Sequence, residues 1–221
     1  MADVEMIGPQ STGQLAEQFD DLAQQREAGT LGMWVFLAGE LLLFGGLFTG
    51  YAVYRWAYYE AFHEASGHLY MTLGSINTAV LLASSLLVAL AVHAAESDRC
   101  RAIAGYLVAA VALGALFLAI KALEYYLDYR EHLIPWVNFH FEESHAKNAR
   151  LFFVFYFVMT GIHALHMLVG LGVLALLAVL AWRGHYSSEY HHPVEIAGLY
   201  WHFVDIVWVF LFPALYLLNP Y

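Results

Sequence analysis

The sequence is poor in charge, holds a single cysteine and has no cluster of basic residues. Only 13% of its 221 residues are charged and 61% are hydrophobic, whereas about a quarter of a soluble domain is charged. Mean hydropathy is +0.59. These scarcities exclude an ordinary soluble domain and put most of the mass in lipid. Nine basic residues stand against 19 acidic ones, a formal charge of −10. With no basic patch, nucleic acid is excluded as a partner. Cys100 alone allows neither an intrachain disulfide nor a cysteine-rich metal site. The opening MADVEMIGPQSTGQLAEQFDD has no positive region followed by an apolar core. The expectation is no cleaved leader, with the first membrane helix as its own signal. Nucleophile elbows, phosphate-cradling glycine loops, paired cysteines, internal repeats and low-complexity tracts are absent as well.

What is present is a series of long apolar runs, at about 31–59, 69–95, 101–127, 150–182 and 194–218. Each reaches the ~20 residues needed to cross a ~30 Å hydrocarbon core, and none alternates as barrel strands do. The predicted fold is all-α, a polytopic bundle of five transmembrane helices in one membrane domain, 31–221. A polar acidic tail, 1–30, precedes it, with Leu15, Phe19 and Leu22 at the spacing of a short surface helix. Five crossings put the termini on opposite sides. Arg26, Arg99, Arg101 and Arg183 lie toward the N-terminal side, and Arg55, Arg130, Lys147 and Arg150 toward the other. The positive-inside count is therefore tied. Cys100, in the loop with Arg99 and Arg101, votes for an N-terminus inside, where a thiol stays reduced.

Polar residues inside these runs need a reason, because each is costly in lipid. Glu40 lies in LGMWVFLAGE among Met33, Phe36, Leu37, Phe44 and Leu47. It reads either as a protonatable site or lipid contact, or as a structural acid hydrogen-bonded to another helix. Gly46 and Gly50 form a GxxxG pair suited to close helix approach. Lys121 and Glu124, one turn apart, read as an ion pair at the membrane surface with Lys121 snorkelling, or as a proton relay. His163 and His166 in MTGIHALHMLVG could ligate a metal or haem, or bond across helices. In 192–221, Glu195, His202 and Asp205 form a polar ridge beside a Trp201/Trp208 stripe. The loop 128–149, DYREHLIPWVNFHFEESHAKNA, carries Pro135, Trp136, Phe139 and Phe141 with histidines 132, 140 and 145. It is expected to pack at the membrane surface. Physics alone yields a bundle with a polar interior seam and no complete catalytic constellation.

Four stretches in this order closely resemble one family: LGMWVFLAGE, EYY at 124–126, TGIHALHMLVG at 160–170 and GLYWHFVDIVWVFLF at 198–212. The chain resembles subunit III of haem-copper terminal oxidases over all five helices, in the shorter five-helix bacterial form. The resemblance implies a non-redox subunit in the aerobic respiratory chain, not catalytic alone, in a bacterial plasma membrane with the N-terminus inside and the C-terminus outside. It implies that catalytic subunit I is the partner, stabilised and aided in proton uptake while the complex reduces oxygen to water. Haem and copper would belong to partner subunits, with none bound here, and ordered phospholipid would lie in the bundle. Glu40 would be the family's intramembrane carboxylate, grouped as proton-linked with Lys121 and Glu124. His163, His166, Glu195, His202 and Asp205 would form an interior or lipid-binding seam. Loop 128–149 would contact a donor or another respiratory component. The alternatives are an accessory subunit of a nitric oxide reductase or quinol oxidase, and a stand-alone metalloenzyme using His163, His166 and His202.

Overall fold

In a computed structural model, residues 18–97, 100–137, 139–140, 146–184, 186 and 191–217 are described. Six α-helices follow in order: α1 Leu22–Ala57, α2 Tyr59–Ser66, α3 Met71–Glu96, α4 Cys100–Arg130, α5 Ala146–Trp182 and α6 His192–Phe212. A π-helical turn, Pro213–Leu217, continues α6. Among the described residues, five helical stretches are long and apolar enough to cross a membrane, as the runs predict. The chain is a membrane helix bundle.

The first helix starts well before the apolar run. Asp21 accepts a 2.7 Å hydrogen bond from the Gln24 amide, and the Gln24 side-chain oxygen accepts one from the Asp20 amide at 2.8 Å. This reciprocal cap nucleates the helix within a polar stretch. At ~1.5 Å per residue, the 36-residue α1 is about 54 Å long and projects beyond the hydrocarbon. Residues 22–30 of the expected tail therefore belong to α1, while 1–17, with Leu15, lie outside the described residues. The short α2 was not foreseen.

The layering follows from burial. The apolar window of α6 is 56% buried and that of α1 only 11%, so the last helix is central and the first peripheral. α3 packs along α4, α4 along α5, and α6 fills the trough between α3 and α5. α1 lies outside against α5 and α6. Between apolar helices in lipid, association rests on close packing and polar bonds. Trp201 shows the first. A Cβ on Gly114 would meet Leu171 at 2.7 Å and Trp201 at 2.9 Å, and one on Gly170 would meet Trp201 at 3.0 Å. The indole is thus clasped between α4 and α5. Within the GxxxG pair, by contrast, Gly46 faces open space and Gly50 meets only the Phe155 ring. Exposed Trp56, Tyr126, Tyr129 and Trp136 mark one membrane boundary, and Trp182 the other.

Candidate functional site

The polar residues of the bundle gather in three places rather than along one seam. The first joins α1 to α5. His166 Nδ1 lies 2.8 Å from the Ile162 carbonyl, one turn back on its own helix. That nitrogen is thereby assigned as a donor. Its Nε2 lies 3.0 Å from Glu40 Oε2. Only two arrangements complete this contact: an imidazolium donating to the carboxylate, or the carboxylic acid donating to a neutral imidazole. Both hold one proton and both leave the pair without net charge, which makes it tolerable in a membrane. The pair is half-buried, with Glu40 18% and His166 15% exposed, so it sits at the bundle's edge and not in its centre. Phe44 packs edge-on against His166.

The second place is a dry charged cluster at the far end of α4. Lys121 Nζ donates to Glu124 Oε2 at 2.9 Å, Tyr156 Oη at 3.0 Å and Tyr216 Oη at 2.8 Å. Its three hydrogens are all used. Tyr216 Oη in turn donates to Glu124 Oε1 at 2.6 Å, and Tyr156 Oη to Asp128 Oδ2 at 3.2 Å. The ammonium also stands 4.6 Å above the Tyr156 ring. Lys121 is only 3% exposed, and Glu124 and Asp128 are fully buried. The expected snorkelling lysine is corrected by this burial: α5 and the π-turn close over it with two tyrosines, so the ammonium bonds inward. Asp128, read as the start of a loop, is a helical member of the cluster. Its position seven residues after Lys121 was the available signal. Asp128 Oδ1 has no hydrogen-bond partner among the described residues.

The π-turn helps build this cluster. Pro213 interrupts the regular ladder of α6, and the Ala214 carbonyl accepts a 2.8 Å hydrogen bond from Tyr51 Oη. Arg55 Nη1 reaches the same hydroxyl at 3.0 Å. α1 thereby braces the turn that carries Tyr216.

The third place is α6 itself, where the predicted ridge divides. Glu195 takes His191 Nε2 at 3.1 Å and His192 Nδ1 at 3.2 Å, all at the start of the helix. His202 Nδ1 lies 2.7 Å from Ser85 Oγ on α3. Asp205 is buried. His163 Nε2 donates to the Val204 carbonyl at 3.1 Å, with Phe117 and Trp208 against its ring. The ridge therefore meets α3 and its own first turn. Among the described contacts the expected meeting of Glu195, His202 and Asp205 with His163 and His166 is not found: His163 meets the Val204 carbonyl and the Trp208 ring of α6, and His166 bonds Glu40. Among the described residues no three His, Cys, Asp or Glu side chains gather as a metal site would require. His191 and His192 went unremarked in the sequence.

Outside the spans, Tyr70 donates a short hydrogen bond to Glu131. That bond pushes the phenol up to about 12, with partial burial and the Glu131 charge adding to it. The loop after α4 is anchored by Arg150 on the Pro135 carbonyl and by Phe139 against Phe153. It leaves Trp136 and Val137 exposed. Phe141 and His145 lie outside the described residues.

Comparison with known proteins decides what this bundle is. The family model for cytochrome c oxidase subunit III matches residues 22–219. The chain belongs to the cytochrome c oxidase subunit III family. It is 32% identical over 195 residues to cytochrome c oxidase subunit 3 of Thermostichus vulcanus, covering 86% of this chain and 88% of the relative. The Synechocystis protein of the same name is 36% identical over 191 residues, covering 85% and 74%. The carp (Cyprinus carpio) protein is 32% identical over 199 residues, covering 84% and 67%. The match takes in every helix described above, so Glu40–His166 and the Lys121 cluster are features of a subunit III bundle. The resemblance drawn from four motifs is thereby borne out.

Proposed function

We propose that this chain is a non-redox subunit of a bacterial haem-copper oxidase, stabilising the catalytic subunit and supporting proton uptake while the complex reduces oxygen to water. The observation that carries this reading is the Glu40–His166 pair. It joins α1 to α5 at 3.0 Å, lies part-exposed at the bundle's edge and is accompanied by no metal-binding cluster among the described residues. A hydrogen-bonded acid–imidazole pair at an edge suits a subunit that works through a neighbour. Haem and copper would sit in partner subunits, the N-terminal end would face the bacterial cytoplasm, and the exposed Trp136 and Val137 would meet a donor or another respiratory component.

The test is Glu40→Gln in the assembled oxidase. The amide can still bond His166 but cannot exchange a proton. Expected are normal subunit content, slower proton uptake and earlier loss of activity during turnover. Turnover as long, and proton uptake as fast, as in the parent would reduce the carboxylate to a structural role. For the loop, deletion of 131–143 should weaken assembly or donor kinetics, and unchanged values for both would remove it from the partner surface.

A further inference from the structure

The cluster around Lys121 holds more acid than base. The ionisable groups that act on Asp128 or feel it are Lys121, Glu124, Tyr125 and Glu131 on α4 or just past its end, Tyr156 on α5, Tyr216 on the π-turn and Tyr70 before α3. One cation thus answers three carboxylates. Glu131 is exposed and bonded by Tyr70, so water and a phenol stabilise its charge. Lys121, Glu124 and Asp128 have no such recourse, being at most 3% exposed. Two carboxylates and one ammonium sealed from water would leave one negative charge uncompensated, a costly state inside a membrane bundle.

The hydrogen bonds decide between the two acids. Glu124 accepts on both oxygens, from the Lys121 ammonium at 2.9 Å and from Tyr216 Oη at 2.6 Å. That is the pattern of an anion with its cation attached. Asp128 accepts one longer bond, from Tyr156 Oη at 3.2 Å, and its Oδ1 has no partner among the described residues. Lys121 cannot help, because its three hydrogens go to Glu124, Tyr156 and Tyr216. A buried carboxylate with a bare oxygen is far costlier than a neutral acid with one. We propose that Asp128 is a proton-binding site: its Oδ1 carries a proton while Glu124 stays ionised, and that proton exchanges with water by way of Glu131. Glu131 is the doorway because it lies three residues further on, near enough to share a face, and is exposed. With the proton bound the buried groups sum to zero charge, so α5 and the π-turn can close over them without water. Proton occupancy is thereby coupled to the docking of the end of α6 on α4.

The site is separate from Glu40–His166 and does not rest on the role proposed for that pair. Its test is infrared spectroscopy of the assembled oxidase at neutral pH, comparing the parent with Asp128→Asn. The difference spectrum should contain the carbonyl band of a carboxylic acid, lost in the variant and shifted by heavy water. Glu131→Gln should keep that band and slow its shift after transfer to heavy water. Thermal inactivation of the same preparations is the second readout. Asp128→Asn, the closest neutral copy of the acid, should match the parent. Glu124→Gln should be inactivated sooner, because it strands the Lys121 ammonium. Lys121→Met/Glu124→Gln should recover most of that loss with Asp128 untouched. A carboxylate band in place of the acid band would overturn the proposal. So would failure of Asp128→Asn to assemble, or a Lys121→Met/Glu124→Gln variant no more stable than Lys121→Met, since either would mean that Asp128 is charged. An unchanged exchange rate in Glu131→Gln would overturn the route to water.

Discussion

Tyr216 Oη stands 2.8 Å from the Lys121 ammonium and 2.6 Å from the Glu124 carboxylate, so one phenol bridges both members of a fully buried ion pair. The hydroxyl accepts from one and donates to the other. α6 is thereby tied to α4 at a point where no solvent competes for either charge.

Removing one charge from that cluster should cost far more than removing both. Lys121→Met leaves Glu124 and Asp128 buried without a cation and should destabilise the chain by about 3–5 kcal/mol. Adding Glu124→Leu and Asp128→Asn should restore most of the loss, since the remaining groups are neutral. Thermal unfolding in detergent, followed by helical circular dichroism, reads the series. Additive losses across it would show that the charges are not coupled.

For Glu40 and His166, a double-mutant cycle should give a coupling above about 1 kcal/mol. Each single change to Ala strands one polar partner at the membrane edge. The same thermal assay reports it, and a coupling near zero would mean the 3.0 Å contact contributes nothing to stability.

The clasp on Trp201 makes Gly114→Ala destabilising by about 1–3 kcal/mol, through overpacking against Leu171 and the indole. Gly46→Ala, into open space, should be near neutral in the isolated chain. Similar losses for both would remove the clasp as the explanation.

Tyr70 and Glu131 tie the start of α3 to the loop after α4. The folded phenol sits near 12 against an ordinary 10.0, so the folded state holds this proton more tightly than the unfolded chain does. The contribution is complete below pH 10 and fades as pH rises from 10 toward 12. Tyr70→Phe should therefore be less stable than the parent at neutral pH, with the gap closing in alkali. A gap independent of pH would mean the hydroxyl's bond is not its source.

The five spans were legible because lipid imposes a length and composition that few other structures share. What escaped was what depends on neighbours. The early start of α1 hides in polar residues 22–30, since a helix that has left the hydrocarbon keeps no apolar run. Lys121 and Glu124 were visible as a local pair, but Tyr156 and Tyr216, which turn a surface pair into a buried one, come from 35 and 95 residues away. His163 and His166 looked like a single site because three residues nearly close a helical turn. The ~60° that remains sends one toward α6 and the other toward α1. Glu40 was legible as an acid in need of a partner, with its partner unnamed among several histidines.

The central position of α6 has a consequence for biosynthesis. Of the described helices, the one that completes the interior leaves the ribosome after the other five. Until it inserts, Thr78 lacks the Trp208 indole, Ser85 lacks His202, and Lys121 lacks Tyr216. A nascent chain halted before residue 192 thus shows lipid a trough whose polar side chains still lack their α6 partners, with Thr78 falling back on the Gly74 carbonyl and Lys121 on Glu124 and Tyr156.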